Sequence, residues 1–343
     1  MKNGTPHRAV QGGGEMPTIK VAILGFGTVG EGIYRILQER KEAIQKETGY
    51  TIDVHSILVR NKGKVRLTTP GTKVTDDVQE IWSNPEIDVI FEAIVGEEPA
   101  YTYLSEAIEK GCHVITANKS MFAKHGPALL KHAQFRDVKV CYEATTAGGV
   151  PIIRTITSLL PADRVQRIRG ILNGTSNFIL TKMREEGISF EAALREAQAR
   201  GFAEADPTDD VGGMDAFRKL MILSTLAFGK QPDWQDVPIV GIDRLTIPDI
   251  ADASKRNLRY RHVADITIGA DGTLRGSVGP VLIEPGHPLY GVDGVDNAVI
   301  VDTEHLGALT LIGPGAGMYP TASAMVGDLL QIIGKRETVA LTS

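Results

Sequence analysis

The chain has 343 residues, 42% hydrophobic and 23% charged, an ordinary balance for a soluble globular protein and long enough for two domains. Its formal net charge of −5 is no footprint for nucleic acid or an anionic membrane, so neither is expected as a partner. No apolar run reaches the ~18 residues of a membrane span, and the two cysteines, Cys112 and Cys141, stand at no metal spacing, which points to a reducing, cytoplasmic setting.

Residues 1–17 are polar and glycine-rich, lack the apolar stretch of a signal peptide, and read as a disordered tail. "TIKVAILGFGTVGEGIYRILQER" then runs from a strand, Ile19 to Leu24, through glycines into a helix with Val29, Ile33, Ile36 and Leu37 on one face. "TIDVHSILVRN", "IDVIFEAIVG" and "HVITANK" read as further strands, "PAYTYLSEAIEKG" and "GPALLKHAQFRDV" as helices, and "KVCYEATTAGG" closes the series. Strands alternating with helices predict an α/β fold with a doubly wound parallel sheet over residues 18–142.

The pattern then changes. "VPIIRTITSLL", "SNFILTKMREEG", "SFEAALREAQARG" and "MDAFRKLMILSTLAFG" read as helices, and "RVQRIRGILNG" as a strand leaving into a turn. "PIVGID", "ADITIGADGTLRGSVGPVLIE" and "NAVIVDTEHLGALTLIG" read as strands, with "GADG" a hairpin turn. Mixed elements predict an α+β substrate and dimerisation domain over residues 143–306. The last helix, "PTASAMVGDLLQII", is expected to return to the first domain, which then comprises 18–142 plus 307–343.

"GFGTVG" sets Gly25, Gly27 and Gly30 at G-x-G-x-x-G spacing, with Phe26, Thr28 and Val29 between them, after a strand and opening a helix. That is the context of a Rossmann-type dinucleotide site: one glycine for the tight turn, one for close approach of a pyrophosphate, one for helix–strand packing. The helix N-terminus adds N–H groups and partial positive charge for phosphates. A glycine-rich turn with no ligand has the same letters. The second strand ends without the acid that holds a ribose 2′-OH; Arg60, Lys62 and Lys64 follow instead, which favours NADP(H), with NAD(H) the alternative. A solvated basic loop is the plain reading of the same residues.

"GFAEADPTDDVGGMDAFRKL" carries the densest chemistry: Glu204, Asp206, Asp209, Asp210 and Asp215 precede Lys219. Asp215 and Lys219 share a helix face, on a helix apolar nearly all round and therefore expected to be buried. A buried pair needs further partners, so it marks either a structural ion-pair network or a site. Acids beside a lysine of tuned pKa can hold a cationic amine and move a proton at a hydroxyl. A calcium loop is disfavoured, because the D-x-[DN]-x-[DN]-G order is missing. "TANK", ending in Lys119, "LNGTSNFIL" and "GPGAG" add a lysine at a strand end, polar turn residues and a second glycine-rich loop.

In this order, "GFGTVG", "TANK", "YEATTAGGVPII", "ILNGTSNFIL", the acidic segment and "GPGAG" resemble the homoserine dehydrogenases over essentially the whole chain after residue 18. The resemblance implies a reversible NAD(P)H-dependent reduction of L-aspartate 4-semialdehyde to L-homoserine, in the threonine and methionine branch of amino-acid biosynthesis. Lys219 matches the family's catalytic lysine and Lys119 a second lysine near cofactor and substrate oxygen. Glu204 and Asp215 match substrate carboxylates, with Asp210 in the same cluster. Gly201, Gly315 and Gly317 match cofactor-side positions. "EATTAGGV" resembles a monovalent cation site using carbonyls of Glu143, Thr146, Gly148 and Val150, for sodium. Thr146 replaces a commonly apolar residue, a change that a carbonyl ligand survives. The family also implies a homodimer formed through the substrate-domain sheet. Many members carry a C-terminal threonine-sensing domain; the chain ends soon after the "GPGAG" helix, so feedback through such a domain is not expected. Two readings compete: a nucleotide sensor with no turnover, and a dehydrogenase of another ω-hydroxy or 2-amino acid.

Overall fold

The computed structural model describes residues 16–334 except 65 and 67; the expected N-terminal tail lies outside the described residues apart from its last two. β1 (Thr18–Leu24) is buried from Val21 to Leu24 and feeds α1 (Thr28–Glu39), α2 (Lys41–Thr48) and β2 (Thr51–Leu58). Then follow β3 (Lys73–Thr75), α3 (Val78–Trp82), β4 (Val89–Glu92), α4 (Ala100–Glu109), β5 (His113–Thr116), α5 (Lys119–Arg136) and β6 (Val140–Cys141). The six strands form one parallel sheet in the order β3-β2-β1-β4-β5-β6. The order reverses between β1 and β4, which places a ligand crevice beyond the carboxyl ends of those strands.

Three elements of this unit escape the periodicity argument. α2 is mostly polar, and β3 and α3 have only three and five residues, too few for a period to register. α5 begins at Lys119, well before the predicted "GPALL" helix, because the Asn118 side chain accepts from Met121 N at 3.0 Å and caps it. Pro127 lies inside that helix, a residue commoner in a first helical turn.

The second unit holds α6 (Ile152–Leu159), β7 (Val165–Ile171), α7 (Gly174–Glu186), α8 (Phe190–Ala199), α9 (Thr208–Val211) and α10 (Met214–Phe228). It continues through α11 (Ile247–Lys255), β8 (Arg259–Ile268), β9 (Leu274–Ile283), β10 (Asp296–Thr303) and β11 (Ala308–Pro314). Its sheet is antiparallel, in the order β11-β10-β7-β8-β9, with α7 and α10 packed on it. "PIVGID" is not a strand; only Ile239 bridges to Val278, and Pro238 offers no N–H for a ladder. α11 carries few apolar residues, and its start shows instead in the capping box of Thr246 and Asp249.

The units divide after Ala144 and again after Pro320. β11 pairs with β10 along its whole length, so the chain leaves the second unit later than residue 307, where the sequence reading placed the return. α12 (Met318–Ile333) then supplies Ala322, Met325, Val326, Leu329 and Ile332 to a core shared with Val21, Ile23, Ile33, Val54 and Phe91.

Candidate active site

The glycine turn is built by sterics that the spacing anticipates. Gly25 has φ +94°, and a Cβ there would lie 2.6 Å from the Ala93 carbonyl oxygen. A Cβ on Gly30 would lie 2.0 Å from the Gly25 carbonyl oxygen, so α1 can approach β1 only with glycine there. Gly27 is different: it caps α1, and apart from its chain neighbours no atom of the described residues lies within 4 Å of its missing Cβ. The N-terminus of α1 is therefore open at Gly27, where a turn of this kind lets a pyrophosphate approach the backbone. Phe26 meets Tyr34 edge-on at 5.8 Å, while Thr28 and Val29 open the helix. Arg60 is exposed just past β2; Lys62 is engaged with Asp76 at 3.1 Å.

Beside this turn, the ends of β4 and β5 carry a buried polar network. Glu92 is 0% exposed, accepting from Ile94 N at 2.6 Å and from the Thr116 hydroxyl. Burial pushes its carboxyl up to about 7, against the pull of the Thr116, Ile94 and Asn118 hydrogen bonds. Lys119 is the first residue of α5, immediately after Asn118.

In the second unit, α10 positions Asp215 and Lys219 one turn apart, 2% and 6% exposed. Lys219 Nζ lies 2.8 Å from Asp215 Oδ2 and donates to the Leu172 carbonyl at 2.6 Å. Asn173 donates through Nδ2 to Asp210 Oδ1 at 2.7 Å and to Asp215 Oδ2 at 2.8 Å, while its own Oδ1 accepts from Ser176 N and caps α7. Asp215, in the first turn of its helix, also meets the positive end of the helix dipole. The other acids do different work. Asp206 holds the Thr208 turn, Asp209 pairs with Arg218, and Glu204 is exposed. Behind the cluster, His262 packs on Gly213 and bonds the Val240 carbonyl through Nε2; burial pulls its pKa down.

The Leu172 carbonyl also accepts from Asn297 Nδ2 at 3.1 Å, and the Asn297 amide lies against Gly315, where a Cβ would meet its Cγ at 2.0 Å. Gly315 in turn abuts Gly148, and Gly149 N donates to the Pro314 carbonyl at 2.9 Å. Thr146, Gly148, Val150, Gly315 and Gly317 therefore stand on adjoining turns of the second unit, whereas Glu143 belongs to the first. The Thr146 hydroxyl is buried with no hydrogen-bond partner among the described residues, an oxygen donor of the kind a hard cation takes. Gly201 ends the turn after α8. Leu172, Asn173, Asn297 and Glu92 are the site neighbours the sequence did not single out for these roles. Asn173 left a trace as an N-cap residue; the Leu172 carbonyl left none.

Two family models match the chain, "Homoserine dehydrogenase" over residues 151–330 and "Homoserine dehydrogenase, NAD binding domain" over 25–143. Homoserine dehydrogenases of Bacillus subtilis and Pseudomonas aeruginosa are 40% and 41% identical, each matching 93% of this chain and 73% of the relative. The crystal structure of a homoserine dehydrogenase from Thiobacillus denitrificans is similar with a TM-score of 0.88 at 40% identity, over 93% of this chain and 74% of that one. A hyperthermophilic archaeal homoserine dehydrogenase in complex with NADPH gives 0.79 at 28% identity, over 92% and 97%.

Proposed function

The chain belongs to the homoserine dehydrogenase family, NAD(P)-dependent oxidoreductases acting on L-homoserine and L-aspartate 4-semialdehyde in amino-acid biosynthesis, and from that premise we propose how its own residues divide the work. The nicotinamide cofactor supplies or accepts the hydride. Lys219 gives a proton to the substrate oxygen during aldehyde reduction and takes it back during homoserine oxidation, its ammonium steadying the alkoxide between the two. Asp215 and the Leu172 carbonyl hold that ammonium in place. Asp215, Asp210 and Glu204 receive the substrate's α-ammonium; a carboxylate has acceptor capacity beyond the bonds Asp215 already makes. Lys119 is a second cation for the cofactor side and the substrate oxygen.

Further assignments follow from the same premise. Gly25 to Gly30 and the turns at Gly201, Gly315 and Gly317 border the cofactor. Arg60 takes the 2′-phosphate of NADP(H), which makes NADP(H) the preferred cofactor. Carbonyls of Glu143, Thr146, Gly148 and Val150 hold a sodium ion. Two copies pair through the second sheet, where Val281 on β9 and Ile312 on β11 are 38% and 54% exposed on one face. The enzyme works in the cytoplasm; among the described residues no helix is long and apolar enough to cross a membrane. A nucleotide sensor without turnover is not favoured, since the relatives across both domains are named for the dehydrogenase.

The observation that carries this reading is a buried lysine held by one carboxylate and one backbone carbonyl. The test is NADPH oxidation with aspartate 4-semialdehyde by wild type and Lys219→Ala, with NADPH affinity measured alongside. We expect kcat to fall by about 10³ with NADPH binding retained, the scale of losing a positioned proton donor. A variant that keeps its turnover removes Lys219 from the chemistry.

A further inference from the structure

Glu92 occupies a position where an apolar residue would be cheaper. It ends a strand whose other residues, Val89, Ile90 and Phe91, are fully buried, and an unpaired carboxyl there costs several kcal/mol unless hydrogen bonds offset it. Its partners do not belong to that core. They form a closed ring through two loops. Ile94 N donates to Glu92 Oε1 at 2.6 Å; Asn118 Nδ2 donates to the Ile94 carbonyl at 3.1 Å; Asn118 N donates to Thr116 Oγ1 at 3.0 Å; and the Thr116 hydroxyl donates back to Glu92 Oε2.

Each side of the ring touches a part of the site. On one side, Ala93 and Ile94 form the wall against which Gly25 fits. On the other, Asn118 caps α5, accepting from Met121 N and the Ser120 hydroxyl at 3.0 Å each, and reaches the Gly96 carbonyl at 2.7 Å. The helix it caps begins with Lys119.

We propose that Glu92 is a positioning residue for Lys119: its carboxyl locks the loop after β4 to the β5–α5 turn and so fixes the lysine against the glycine turn. This rests on Lys119 being a site residue. With the carboxyl ionised, the ring closes on two acceptor oxygens. A glutamine keeps the shape but offers one acceptor and one donor, so the Thr116 hydroxyl loses its acceptor and the ring opens.

The test is a double-mutant cycle with Glu92→Gln, Lys119→Ala and the pair, reading kcat, KM for homoserine and NADPH affinity. We expect Glu92→Gln to lower kcat by roughly tenfold or more while NADPH affinity stays within about threefold, because a small misplacement of a site group is costly in rate. In the Lys119→Ala background the same change adds almost nothing, since the residue through which Glu92 acts is gone. A merely structural acid would lower both backgrounds by the same factor, and that result overturns the proposal. So does an impaired Lys119→Ala beside a fully active Glu92→Gln, which leaves the reading of Lys119 standing. If Lys119→Ala keeps full rate, the role of Lys119 fails, and with it that of Glu92. Should Glu92→Gln not fold, Asn118→Asp serves instead. It keeps the helix cap but loses the donations to Ile94 and Gly96, and the same cycle with Lys119→Ala is expected and decides in the same way.

Discussion

Asp215 and Glu92 are both buried carboxyls, one in each unit, and their surroundings treat them in opposite ways. Asp215 has an ammonium 2.8 Å away and an amide N–H at 2.8 Å, so its charge is answered in place. Among the described residues Glu92 has only neutral donors, a hydroxyl and backbone and amide N–H groups, and burial wins, raising it to about 7. The contrast separates two uses of one chemical group. A carboxylate given a cation can orient that cation for proton transfer. One given only dipoles serves as a two-pronged acceptor that ties loops together, and it keeps the option of being protonated.

The largest effect should come from breaking the charged member. Asp215→Asn takes the carboxylate away from the buried Lys219, and removing one partner of a buried pair costs about 3–5 kcal/mol. Urea unfolding should show a loss of that order. Homoserine turnover should fall by about two decades or more if the displaced lysine is the proton carrier, as proposed. A stable, active Asp215→Asn enzyme would mean that the lysine does not depend on the Asp215 charge, and the contrast with Glu92 would lose its basis.

The neutral member has a pH signature instead. A carboxyl raised from 4.5 to about 7 in the folded protein binds its proton more tightly there than in the unfolded chain. Its contribution is therefore complete below pH ~4.5 and is lost as pH rises through ~7, for a total near 3 kcal/mol. Unfolding free energies of wild type and Glu92→Gln, measured between pH 4.5 and 7.5, should converge upward in pH: wild type falls relative to a variant with no proton to lose. Parallel curves would show that Glu92 is ionised throughout and that the neutral donors suffice to hold a charge.

How much of this could be read beforehand depends on how local each cause is. The G-x-G-x-x-G turn is legible because its sterics act within six residues: Gly30 is required by the carbonyl of Gly25. Asp215 and Lys219 are legible because four residues on an apolar helix bring them together. The rest of the lysine's environment is not. Asn173 reaches Asp210 and Asp215 across 37 and 42 residues, and a backbone carbonyl such as that of Leu172 has no letter of its own. The Glu92 ring closes over 24 residues between two strands, and a single Glu at a strand end looks like any other until the sheet order makes those strands neighbours. The acidic run shows the same limit: Asp210 and Asp215 share the Asn173 amide, whereas Asp206 holds the Thr208 turn and Asp209 pairs with Arg218, a division that no spacing announces.

That division of the run sets the smallest prediction. Asp209 pairs with Arg218 on the surface, with side chains 60% and 25% exposed. Exposed pairs are screened and contribute little, so Asp209→Ala should change unfolding free energy by no more than about 0.5 kcal/mol. Its homoserine KM should match wild type, since the carboxylate points its partnership at Arg218 rather than at Asn173. The measurement matters because Asp209 and Asp210 are adjacent in sequence and differ only in where the short helix α9 turns them. If Asp209→Ala raises KM as Asp215→Asn does, then the negative field of the whole segment holds the substrate amine, and specific contacts at Asp210 and Asp215 are not what recognises it. If only the latter variant responds, recognition lies in contacts set by one asparagine, and Asp206 and Asp209 serve the turns and surface of the run.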